Sequence, residues 1–186
     1  MIDITPEAAV IAAATAGWPA CGVWFDADTW TRARSRAVRD ALDATGTVAL
    51  DIEPIIVTAD GDHTDAVVAA GADIGARFVL FTSRVDDWPH VIDRFGHACD
   101  RAAEAGLTVV CEFLPIFPLA TLRTALHVVE AAARPNGGVL VDNLHLRSSG
   151  ATPADLAGVD RKLLPYLQLA DAPAVAPLGT AALVAE

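Results

Sequence analysis

Basic residues are scarce in this chain: 13 Lys and Arg stand against 24 Asp and Glu in 186 residues, a formal charge of −11. A surface of that sign, with an isoelectric point near 4.7, repels phosphate backbones and excludes nucleic acid as an expected partner. Cysteine is scarce too. Cys21, Cys99 and Cys111 are odd in number, far apart and set in apolar stretches, which fits reduced core residues of a cytoplasmic protein. It excludes a disulfide framework and a Cys-based zinc site. No apolar run approaches a membrane span, and no basic-then-apolar leader opens the chain, so no membrane partner is expected. No Gly-x-Gly-x-x-Gly follows an early strand and no Walker A sequence occurs, which weakens nucleotide-binding doubly wound folds.

What is present is apolar and periodic. Hydrophobic residues make up 53% of the chain and mean hydropathy is +0.40, ample for the core of one domain over residues 1–186. Thr5-Pro6-Glu7 opens a helix with a hydroxyl cap, Pro at the first helical position and an early acid. Short strands are expected at Cys21–Phe25, Val48–Val57, Phe78–Thr82, Val139–Asp142 and Tyr166–Leu169, with another through Glu112. Helices are expected between them: from Asp28 to Ala44, over Thr64–Ile74, from Asp86 to Ala105, from about Pro118 to Ala133, and from Thr152. Strict alternation implies a parallel sheet with helical crossovers. A (β/α)8 TIM barrel is the better expectation, an open flavodoxin-like sheet the second; both place chemistry at the carboxyl ends of strands.

Leu107–Leu119, LTVVCEFLPIFPL, holds the first chemical signal. Val109, Val110, Cys111, Phe113 and Leu114 make an apolar run, Glu112 sits inside it, and Pro115 stops the strand. Burying an ionised carboxylate there is costly without a compensating cation or donor. Asp142 ends the next strand, with His145 three residues on, and Gln168 lies in the strand after that. Period-two alternation aims Glu112, Asp142 and Gln168 into one cavity. Two readings fit: a hydrogen-bonded polar plug, or a divalent cation that relieves the repulsion between the two acids. Oxygen-rich ligation favours Mg2+ or Mn2+, with Zn2+ and Co2+ next. Glu53 interrupts Val48–Val57 in the same way as Glu112 interrupts its strand, and Arg84 follows Phe78–Thr82 where it could meet an anionic substrate or a surface acid.

Three segments, Val-Cys-Glu112-Phe, Val-Asp142-Asn-Leu-His145 and Leu-Gln168-Leu-Ala-Asp171-Ala-Pro173, resemble the second half of the xylose-isomerase-like TIM barrels. That superfamily includes sugar-phosphate isomerases and epimerases, inosose dehydratases and 3-dehydroshikimate dehydratases. The resemblance implies that Glu112 and Asp142 are metal ligands and that Gln168 is a third, where many members carry His. It implies that His145 contacts the substrate or moves a proton, and that Glu53 faces the substrate. The expected enzyme is a divalent-metal-dependent isomerase or epimerase of a sugar- or cyclitol-type carbonyl compound. Proton abstraction would give a metal-stabilised enediolate, with His145 or Glu53 as the base. The alternatives are an inosose or dehydroshikimate dehydratase-like lyase and an inactive partial barrel. Endonuclease IV-like phosphodiester cleavage fares badly, with too few His for three metals and the wrong charge.

The resemblance also implies a fourth ligand, a Glu on a last strand, and no such strand precedes Glu186. Seven candidate strands are found if Ile2–Ile4 is counted as a clipped first one. The expectation is therefore an incomplete barrel whose exposed edges leave room for a homo-oligomer.

Overall fold

A computed structural model describes residues 4–171. Strands and helices alternate: α1 (Pro6–Thr15), β1 (Ala20–Trp24), α2 (Arg32–Thr45), β2 (Val48–Val57), α3 (Thr64–Ile74), β3 (Phe78–Ser83), α4 (Trp88–Ala103), β4 (Thr108–Glu112), α5 (Leu122–Ala132), β5 (Gly137–Asp142), α6 (Asn143–Ser148) and β6 (Tyr166–Gln168). All strand pairs are parallel, and the sheet order β1-β2-β3-β4-β5-β6 follows the chain. An uninterrupted sequential order is the barrel pattern; a doubly wound sheet would reverse its strand order at a switch point. The six described strands form a half-barrel. The expected strand at Ile2–Ile4 falls largely outside the described residues, as do Pro173 and the Ala-rich tail to Glu186.

Several helix starts differ from the sequence expectation. The second helix begins at Arg32 behind Thr31, whose hydroxyl accepts the Arg34 N–H at 3.2 Å; Asp28 only closes a turn with Asp26. The fifth begins at Leu122 behind Thr121, not at Pro118. Before the second helix Asp26, Asp28, Thr29 and Thr31 compete, and before the fifth Thr121 is the residue able to cap; in both, the hydroxyl adjoining the amphipathic register became the cap. Thr152–Asp155 opens only one 3-10 turn, Pro153–Leu156.

Side chains sort into two cores. Val23, Ile52, Ile55, Val79, Phe81, Val109, Cys111, Val139 and Val141 face outward against the helices and are buried there with Val67, Phe95 and Val129. Phe78, Leu80, Val110 and Leu140 face inward and form a smaller apolar plug with Leu50 and Tyr166. Cys21, Cys99 and Cys111 carry free thiols. Among the described residues no helix is long and apolar enough to cross a membrane. Trp18 and Trp24 are 66% and 50% exposed.

Candidate active site

Two irregularities in β2 set the site. Cys21 pairs with Ala49 but Gly22 with Asp51, so Leu50 is the extra residue of a bulge. Ile52 pairs with Val79 and Ile55 with Phe81, so β2 spends one more residue around Pro54. Leu50 and Asp51 therefore both serve the inner side, and Glu53 follows Asp51 on the same face.

Register then aligns one polar side chain from each of five consecutive strands. Glu53 lies level with Leu80, one pleat below Thr82. Extending Phe81–Cys111 by one residue sets Thr82 beside Glu112. Glu112 pairs with Leu140, one pleat below Asp142, and Asp142 pairs with Gln168. The ladder climbs a pleat at every second step, which is the stagger of a closed barrel. At barrel height, Glu53, Glu112 and Gln168 make one layer, and Thr82 and Asp142 the interleaved one above it. Leu80, Val110 and Leu140 floor the layers with apolar atoms.

Burial and mutual repulsion dominate the electrostatics. Burial, then the charges of Glu53, Asp142 and Asp51, push the Glu112 carboxyl up to about 8. Burial and the neighbouring Asp51 push Glu53 up to about 7. Asp51 is raised by burial, against the bond from Tyr166 that holds it down. Among the described residues, no Lys or Arg pairs with any of these acids. The contact Glu112 makes is with His145, whose Nε2 lies 3.7 Å from Glu112 Oε1. Burial lowers the His145 pKa, opposed by Asp142.

Asp142 does two jobs. Its Oδ1 accepts the Leu144 and His145 N–H groups at 2.7 and 3.0 Å, starting α6 and fixing His145 over Glu112. Between them in sequence, Asn143 clamps the chain just past β6: its amide donates to Ala170 O at 3.0 Å and accepts the Ala170 N–H at 2.6 Å. That clamp holds the strand bearing Gln168. Below the layer, the Tyr166 hydroxyl donates to Asp51 Oδ2 across the interior, and its ring stacks on Phe78 at 4.8 Å. Gly22 leaves room for Asp51, since a Cβ there would stand 2.6 Å from Asp51 Oδ1. Arg84 stays outside this layer; it is exposed after β3, with its guanidinium 5.0 Å over the Phe117 ring.

Glu53, Glu112, Asp142, Gln168 and His145 are thus brought together, and Arg84 is set apart at the rim. Sequence reasoning passed over Asp51, Thr82, Asn143 and Tyr166. Alternation from Glu53 back to Asp51 was the signal for the first, and Thr82 stood at a strand end like Glu112.

Among the described residues, no group of three or more His, Cys, Asp or Glu side chains is placed to hold a metal ion. The donor chemistry nevertheless fits a divalent cation. The acids raise one another's pKa, no Lys or Arg among the described residues offsets them, and Asp51 Oδ1 is buried without a partner. Glu112, Asp142 and Gln168 would supply two carboxylates and an amide oxygen.

Comparison with known proteins meets this geometry. A search of curated protein sequences returns no match. Among solved structures, a xylose isomerase-like TIM barrel/4-hydroxyphenylpyruvate dioxygenase fusion protein superposes with a TM-score of 0.80 at 20% identity, over 95% of this chain and 31% of that one. The IOLI protein, solved with a zinc atom, gives 0.72 at 13% identity over 88% of this chain and 66% of its own. D-psicose 3-epimerase, solved in the presence of D-fructose, gives 0.72 at 14% identity over 90% and 68%. This chain therefore spans under a third of the fusion protein and about two thirds of the other two. The sequence profile of the family described as xylose isomerase-like TIM barrel matches residues 10–180, and the chain belongs to that family.

Proposed function

We propose that this chain carries the metal- and proton-handling layer of a divalent-metal-dependent enzyme that isomerises or epimerises a small polyhydroxylated carbonyl compound, of the sugar-phosphate isomerase/epimerase kind. The observation that carries the reading is the pair of polar layers: Glu53, Glu112 and Gln168 at one height and Asp142 just above, Asp142 buried and the others half-buried, with their acids unpaired by any Lys or Arg among the described residues. The epimerase and the zinc-bearing IOLI protein among the structural neighbours support it.

Glu112, Asp142 and Gln168 would hold the cation, with Mg2+ or Mn2+ favoured by the all-oxygen set. The cation would supply a Lewis acid that polarises a carbonyl and steadies developing negative charge. The protein's own groups do the rest. Glu53, held near neutral pH by burial and Asp51, is suited to take a proton from carbon and return it. His145, its pKa lowered by burial and its backbone N–H bonded to Asp142, faces the site from the β5 end. Epimerisation needs removal of a proton on one face and delivery on the other, and Glu53 and His145 offer two such groups. Leu80, Val110 and Leu140 keep bulk water from below. Arg84 at the rim would meet an anionic group such as a substrate phosphate.

The test is Mn2+ titration of the metal-stripped full chain by calorimetry, followed by a panel of keto-sugars, their phosphates and cyclitols in D2O. Expected are one Mn2+ site, lost in Glu112→Gln and Asp142→Asn, and deuterium uptake at the carbon beside a carbonyl. Mn2+ binding indifferent to both substitutions would overturn the reading.

A further inference from the structure

The geometry points to Thr82 as a specificity-determining residue whose hydroxyl binds a hydroxyl or carbonyl oxygen of the substrate. Thr82 stands in the interleaved layer with Asp142, beside Glu112, on the strand between those carrying Glu53 and Glu112. Its neighbours on β3 settle its direction: Val79 and Phe81 belong to the outer core, Phe78 and Leu80 to the inner plug, so Thr82 faces inward. The residue is 4% exposed, and its Oγ1 is buried without a hydrogen-bond partner.

A buried hydroxyl lacking a partner costs stability, and valine would fill the same volume without that cost. Its neighbours show the contrast. Ser83, the next residue, turns its hydroxyl to Val85 O at 2.8 Å, and Tyr166 turns its own to Asp51. Among the inward polar residues on strands β2 to β5 at this height, Thr82 offers the neutral group that can both donate and accept. The acids around it are acceptors when ionised, and Gln168 lies three strands away. A polyol presents several adjacent oxygens at once. With two of them near Glu112 and Asp142, the next along the carbon chain falls toward β3, where Thr82 waits unpaired. A site built to pair a substrate oxygen discriminates strongly against an analogue lacking it.

This inference rests on the metal-dependent reading above, and its test keeps the two apart. The full chain, Thr82→Val and Thr82→Ser are each titrated with Mn2+, then with xylitol in the presence of Mn2+, by calorimetry and ligand-observed NMR. The expected result is that Thr82→Val melts at or above the wild-type temperature, binds Mn2+ within twofold of it, and binds xylitol about five- to tenfold more weakly. Thr82→Ser, which keeps the hydroxyl, should bind xylitol like the wild type. Xylitol affinity unchanged in Thr82→Val overturns the inference, as does wild-type chain that binds Mn2+ but not xylitol. Wild-type chain that binds no Mn2+ overturns the metal reading and the inference with it. Should Thr82→Val fail to fold, loss of xylitol binding in folded Thr82→Ala with restoration in Thr82→Ser supports the inference, and equal binding in all three overturns it.

Discussion

Replacing Glu112 by Gln should stabilise the metal-free chain at alkaline pH while abolishing its response to Mn2+. The carboxyl sits at about 8 in the fold against an ordinary value of 4.5, raised first by burial and then by Glu53, Asp142 and Asp51. A folded pKa above the unfolded one means that the folded state binds more protons between the two. Stability therefore falls as pH rises from 4.5 towards 8 and stays low beyond it. Linkage puts the penalty from this one group at about 3 kcal/mol at pH 7 and at most about 5 kcal/mol above pH 9. The side chain retains 14% exposure, and its partners titrate with it, so the working figure is on the order of 2 kcal/mol. Gln keeps the shape and cannot ionise.

Thermal and urea melts in EDTA, from pH 5 to pH 9, read this directly. Wild-type stability should fall across the range, with Glu53 adding its share in the same direction. Glu112→Gln should show a flatter profile and, at pH 9, a melting point about 4–8 °C above wild type. Mn2+ at a hundred times its dissociation constant should restore about 2.7 kcal/mol to the wild type and nothing to the variant. A Glu112→Gln chain less stable than wild type at pH 9 would refute the reasoning, because the carboxylate would then be a satisfied structural group.

Three further outcomes follow. In a chain showing turnover, His145→Ala should lower kcat by about a hundredfold or more with Mn2+ affinity changed less than threefold; parallel losses would make His145 a ligand. Tyr166→Phe should cost about 1–3 kcal/mol in urea unfolding, since it strips Asp51 of its partner, and adding Asp51→Val should recover most of that loss; a neutral Tyr166→Phe would dismiss the strut. Asp62 behaves oppositely to Glu112: burial would raise its pKa, but bonds from Arg94 and from Thr64 lower it below 3.8. Its contribution should be present above pH 3.8 and lost as pH falls through the folded value, and Arg94→Ala should flatten that acid limb of the stability profile.

The residues legible in the sequence share one property: each is a polar group interrupting an apolar strand near its end. Glu112, Asp142 and Gln168 could be placed by period-two alternation because β4, β5 and β6 are regular where they pair. Strand β2 is not regular. Its bulge at Leu50 and the added residue near Pro54 put an apolar and an acidic neighbour on the same side, which alternation alone does not anticipate. Thr82 escaped for a different reason, because threonine is a good strand former and announces no chemistry until its hydroxyl is seen to lack a partner. Asn143 looked like spacing between Asp142 and His145; its clamp on Ala170 spans 27 residues of sequence. The Tyr166–Asp51 bond spans 115. Sequence pattern reports which face a residue takes, one strand at a time. The partner it meets across the interior depends on stagger summed over every strand between, and each bulge alters that sum. In this half-barrel the acids were therefore readable one by one, while the neutral groups that orient them became visible only once β2 and β6 faced each other.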